Sequence, residues 1–203
     1  WLVNPRVGSN DYMAEVYDRL LFHGATYADL PTRGAPVISV NATDYVNGMV
    51  FPFLSTSFGA ICSDLNSFHL ARAVAASAAF PFLFSPVTLE NHAAQCRGLR
   101  PPDGLPNGTN GESGPLSRRA ALVRAANAYA DPEHTRWIHL MDGGLADNLA
   151  LRGILQLFVA LDDDHALIQE LARRTRRILV LSVDGQAAVD QRLDQRNALA
   201  DFF

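Results

Sequence analysis

A chain of 203 residues, 48% hydrophobic and 19% charged, is long and apolar enough to bury one sizeable core, roughly 70% of its unfolded surface. With 17 Lys and Arg against 21 Asp and Glu, the net charge is −4, and no basic stripe marks a nucleic-acid partner. No apolar run approaches the ~20 residues that span a bilayer; Phe51 to Leu54 and Phe80 to Phe84 are too short and carry proline.

In chain order, Asp11 to Phe22 reads as an amphipathic helix whose apolar positions Met13, Val16, Tyr17, Leu20 and Leu21 recur at helical spacing and pack on a core. Pro36 to Ala42 reads as a strand with Thr43 and Asp44 at its end, and Asn47-Gly48 turns the chain into Met49 to Phe53 as a hairpin. From Leu70 to Val87, six alanines between Ala71 and Ala79 form a slim helix that Phe80-Pro81 stops. Composition shifts to Pro, Gly and Asn over about 91–116, which predicts a mobile surface insertion. Ser117 to Tyr129 is then a helix capped by Ser117, with Arg118, Arg119 and Arg124 on a face that is either solvated or turned to lipid phosphate.

Trp137 to Met141 is almost continuously apolar, as expected of a strand covered on both faces. It runs into Asp142-Gly143-Gly144, and Asp147 or Asn148 caps a helix that begins near Leu149 and ends near Leu161. A second helix over Asp163 to Thr175 and a buried strand over Arg177 to Val183 complete a helix-then-strand order that suits a parallel sheet. Asp142 lies at the carboxyl end of a strand, the edge where open α/β sheets bind ligands, although Asp-Gly is also a common plain turn.

Taken together, NATDYVNG at Asn41 to Gly48, the Ala/Ser helix ending in Phe-Pro, and DGGLADN at Asp142 to Asn148, in that order, resemble the patatin-like phospholipase family over roughly Pro36 to Asp184. The resemblance implies a three-layer α/β/α sandwich with a mostly parallel central sheet, incomplete at the N-terminus, of which 1–203 is the C-terminal portion of a single domain. It also implies a lipid acyl hydrolase, phospholipase A or lysophospholipase-like, that works with a Ser-Asp dyad. Asp142 matches the dyad aspartate and acts as general base, on a loop shaped by Gly143 and Gly144. The family's G-x-S-x-G serine elbow and glycine-rich oxyanion loop occur nowhere in these residues. The nucleophile is therefore expected upstream of Trp1, and this chain alone is expected to be inactive. The alternative is a non-catalytic module of the same fold that lacks a working serine.

Two serines approach the elbow pattern. Ser57 in STSFG has Ser55 where the first glycine belongs, and Ser113 in GESGP has Pro115 where the second belongs, so both read better as polar loop residues. Phe80 and Phe82, with Leu83 and Phe84, line an acyl channel or are plain core. The expected partners are a phospholipid or other fatty-acyl ester and a peripheral membrane contact, with no cofactor and no metal. Localisation is cytoplasmic or an exported envelope protein, with the family subgroup leaning to export.

Other titratable residues carry weaker signals. Asp44 approaches the site or caps a turn. Asp184, ending the last predicted strand, rivals Asp142 but lacks the double glycine. His139 reads as a satisfied core histidine, since its side chain points away from the face of Leu140. His23, His69, His92, His134 and His165 show no metal-binding spacing, and Cys62 and Cys96 either pair or stand as a buried thiol and a loop thiol.

Overall fold

The computed structural model describes residues 7–31, 35–36, 38–96 and 128–151, with scattered positions between 169 and 181. Helix α1 (Ser9–Tyr17) continues into a single π turn over Asp18–Phe22, closed where the His23 N–H donates to the Asp18 carbonyl. Widening the helix there carries Leu20 and Leu21 off the apolar stripe, so these two are exposed while Met13, Val16 and Tyr17 stay half-buried. The predicted helix thus exists, but its last two core positions do not.

Strand β1 (Asn41–Asp44) pairs antiparallel with β2 (Met49–Pro52) across the Tyr45 to Gly48 turn, as the hairpin signal predicts. The strand starts later than expected and takes in Thr43 and Asp44. Helix α2 (Ser55–Ala60) follows, then α3 (Leu70–Ser77), and then β3 (Val87–Glu90), an alternating VTLE segment after Pro86 that the sequence reading does not anticipate. Strand β4 (Trp137–Met141) runs between β1 and β3, giving the order β2-β1-β4-β3. A short helix α4 (Gly144–Asp147) leaves its end.

The described sheet is antiparallel at every pairing, not the mostly parallel sheet expected. Burial along β4 explains the difference. Ile138 and Leu140 are buried, whereas Trp137 is exposed and His139 half-buried, the alternation of a strand covered mainly on one face. His139 interrupts the apolar run that suggested cover on both sides.

Helix α3 packs against β1, β3 and β4, with α1 stacked on it. Its buried alanines, Ala71, Ala73, Ala75 and Ala76, allow that close approach. Buried Asn10 of α1 donates from Nδ2 to the Ala75 carbonyl at 3.1 Å, and the Asn10 N–H donates to Ser85 Oγ at 3.2 Å. The beginning of α1 therefore clamps both α3 and the segment that follows it. In the same core, Phe51, Phe53, Phe58 and Phe68 join Tyr27 in an aromatic cluster with ring centroids 5.3–6.5 Å apart.

The first residues of the expected insertion belong to the body of the fold. Asn91 is buried, donates from Nδ2 to the carbonyls of Tyr129 and Thr135 at 2.9 Å each, and accepts the Ala93 N–H. Cys96 forms a disulfide with Cys62, with Cα atoms 5.8 Å apart. The remainder of that predicted insertion, most of the Ser117 to Tyr129 helix, and most of the helices expected over Leu149 to Leu161 and Asp163 to Thr175 lie outside the described residues, as do Ser113 and Asp184. Within the last helix, Arg173 and Arg174 pair with Glu170. The buried strand expected over Arg177 to Val183 is not formed at its described positions. Leu179 and Leu181 are exposed, and among the described residues no strand lies beside them to complete a ladder.

Phe82 is fully exposed and holds φ at +72°, in the left-handed region that disfavours side chains. A side chain that buries nothing gains nothing there in folding. Phe82→Gly should raise stability by about 0.5–1 kcal/mol, the relief of backbone strain less the greater freedom of glycine in the unfolded chain. Thermal melting of the two forms measures it, and a lower melting temperature for the glycine variant would contradict it.

Candidate active site

The geometry at the end of β4 begins with Thr43 of β1, whose register partner is Met141. Its buried hydroxyl donates to the Asp142 carbonyl at 2.7 Å and accepts the Ala146 N–H at 3.1 Å. The end of α3 holds the same turn from the other side. The Asp142 N–H donates to the Ala79 carbonyl and the Gly143 N–H to the Ser77 carbonyl, each at 3.0 Å. Backbone on both flanks of Asp142 is thus fixed by two separate elements.

Gly143 is dictated by this packing. A Cβ at that position would sit 2.4 Å from the Asn41 carbonyl oxygen, a backbone atom that cannot step aside. Gly144 supplies the N–H that holds the carboxylate, donating to Asp142 Oδ1 at 2.8 Å. Among the described residues Oδ2 accepts no hydrogen bond, and the side chain is half-buried at the edge of the sheet. One oxygen is oriented and the other is open, an arrangement able to take up a proton from a nucleophile placed against it. Asp147 is the last residue of α4 and Asn148 its C-cap, and most of the helix expected from Leu149 lies outside the described residues.

Phe80 lies one residue beyond the Ala79 carbonyl that holds Asp142. Phe80, Phe82 and Leu83 are all exposed on the turn after α3, so they are not core. Leu145 of α4 is also exposed.

The other candidates take different parts. Asp44 is buried and caps the hairpin turn, accepting the Val46 and Asn47 N–H groups, the Asn47 amide at 2.6 Å and the Tyr129 hydroxyl at 2.7 Å. Burial, the Asp44 charge and this hydrogen bond together push the Tyr129 pKa far above the ordinary tyrosine range, so the hydroxyl remains a donor at neutral pH. His139 is not a core residue; its Nδ1 lies 3.0 Å from Thr88 Oγ1 of the paired strand, on the more open face of the sheet. Ser57 is an ordinary helical residue in the first turn of α2, outside the left-handed conformations found here only at His23, Cys62, Phe82 and Ala150 among the non-glycine described residues. That excludes a strained elbow at Ser57. No group of three or more His, Cys, Asp or Glu converges as a metal site among the described residues, and no helix among them is long and apolar enough to cross a membrane.

Thr43 is the member of the site whose part the sequence does not disclose. Its signal was the Thr-Asp pair ending a strand, which gives no hint of a hydroxyl reaching across about a hundred residues of sequence to the glycine turn.

An α/β domain with a carboxylate so held, next to exposed apolar side chains, has the makings of a hydrolase of hydrophobic substrates. The patatin-like phospholipase family model matches residues 11–155, well over half of the sequence, and the chain belongs to that family, whose members are esterases and phospholipases. No curated protein and no solved structure matches the chain.

Proposed function

We propose that Asp142 is the general base of a Ser-Asp dyad that hydrolyses fatty-acyl esters of lipids. The observation that carries this reading is the asymmetric carboxylate: Oδ1 is tied to the Gly144 N–H, and Oδ2 accepts no hydrogen bond among the described residues, on a turn anchored on both sides. A serine hydroxyl is a weak nucleophile, and a carboxylate at hydrogen-bond distance takes its proton as the oxygen attacks the ester carbonyl. The same carboxyl then returns the proton to the departing alcohol. In the second half it takes a proton from the water that cleaves the acyl-enzyme.

These 203 residues contain no G-x-S-x-G. The nucleophile and oxyanion donors of this proposal belong to a preceding part of the same domain, which would also carry the parallel strands of a three-layer sandwich. Phe80 and Phe82 would contact the acyl chain or the lipid surface, in keeping with their exposure on the turn after α3, where the Ala79 carbonyl anchors Asp142. The Cys62–Cys96 disulfide supports an oxidising, exported location for the protein.

Fluorophosphonate labelling of this chain and of the intact source protein, followed by peptide mass spectrometry, tests the reading. Label on a glycine-flanked serine in the intact protein alone is the expected result. Label on Ser57 would overturn it, and an unlabelled intact protein would make the fold a non-catalytic module.

A further inference from the structure

Resting on the reading of Asp142 as the base, we infer that Thr43 is a positioning residue of the reaction, which holds the catalytic carboxylate in register by clamping its backbone from the neighbouring strand. Helix α4 has glycine at its N-cap, and of its first-turn N–H groups the Asp142 carboxylate accepts that of Gly144. Thr43 supplies a second acceptor from β1. Its hydroxyl accepts the Ala146 N–H at 3.1 Å, and its single proton goes to the Asp142 carbonyl at 2.7 Å, with the Gly143 carbonyl 3.4 Å away.

Because Asn41 leaves no room for a Cβ at Gly143, a Ser or Asp cap at that position is sterically closed, and the Thr43 hydroxyl, two residues along β1, accepts the Ala146 N–H instead. The hydrogen bonds from Asp142 and Gly143 to α3 fix the turn on one side only. Without Thr43 the carbonyl of Asp142 and the start of α4 lose their hold on β1, and the Gly144 N–H that orients Oδ1 shifts with them. A displacement of about 1 Å at a reacting group costs on the order of a hundred-fold in rate.

The experiment uses the intact protein with p-nitrophenyl butyrate, a short soluble ester, and expresses kcat per folded molecule from circular dichroism. Thr43→Val, equal in shape but without the hydroxyl, should lower kcat about ten- to a hundred-fold with KM within about two-fold of wild type. Thr43→Ser, which keeps the hydroxyl, should recover most of that loss. Equal kcat for Thr43→Val and wild type would overturn the inference, and so would an equal loss in the Val and Ser variants, since the hydroxyl would then not be the active feature. Should Thr43→Val not fold, Thr43→Ala is read in the same way. Asp142→Ala is measured alongside. Full activity in that variant sinks the base assignment itself, whereas an inactive Asp142→Ala beside a fully active Thr43→Val sinks only the role of Thr43.

Discussion

Asp142→Ala in the intact protein is expected to lower kcat by about 10²- to 10⁴-fold, about 3 to 5 kcal/mol in barrier, with little change in stability. The rate loss follows from removing the group that takes the serine proton, and stability is spared because the side chain is half-buried and makes one hydrogen bond to its own turn. Asp142→Asn is the sharper variant. It still offers an oxygen to the Gly144 N–H and preserves the shape of the turn, so a comparable loss of kcat isolates basicity from architecture. Steady-state kinetics on a lipid ester, paired with thermal melting, separates the two effects. A variant that melts normally and retains wild-type kcat would remove Asp142 from the mechanism.

DGG is readable because space is short at both glycines: a Cβ would meet the Asn41 carbonyl at Gly143, and the Asp142 and Asn148 side-chain oxygens at 3.0 Å at Gly144. The alanine helix is readable because only small residues let α3 lie against the sheet at Ala73 and Ala76. Sheet direction was not readable. A run such as WIHLM looks fully buried by composition, yet His139 faces Thr88 of the paired strand, 51 positions away, and strand direction is set by partners that the run itself does not name. Likewise nothing local in Asp18 to Phe22 announces a π turn, so helical periodicity carried Leu20 and Leu21 inward when the backbone turns them out.

The site shows the same division. Its reactive group and glycines are contiguous in sequence, whereas Thr43 and the carbonyls of Ser77 and Ala79 that fix them come from two other elements and become neighbours only through packing. Phe80 and Phe82 could be named from sequence, but their exposure could not, because it depends on α1 and Ser85 pinning the far end of that turn.

Loss of the Cys62–Cys96 bridge should destabilise the fold by about 4 kcal/mol, since the bridge closes a loop of 34 residues in the unfolded chain. The fall in melting temperature should be on the order of 10 °C. Cys62→Ser combined with Cys96→Ser avoids a stray thiol, and both sulfurs belong to half-buried residues, so a mild reductant should reproduce the effect without denaturant. The bridge joins the corner after α2 to the segment leaving β3, where the His92 N–H also donates to the Ile61 carbonyl at 2.9 Å. It therefore braces the outer edge of the sheet, at the far side of β4 from the β1 contact that holds Asp142. Melting should respond strongly and kcat at 20 °C weakly, because the Thr43, Ser77 and Ala79 anchors of the Asp142 turn do not pass through the disulfide. An unchanged melting temperature in the double variant would mean that the hydrogen bonds of Asn91 and His92 alone secure that edge; a parallel collapse of kcat would mean that the sheet transmits the loss across β4 to the site.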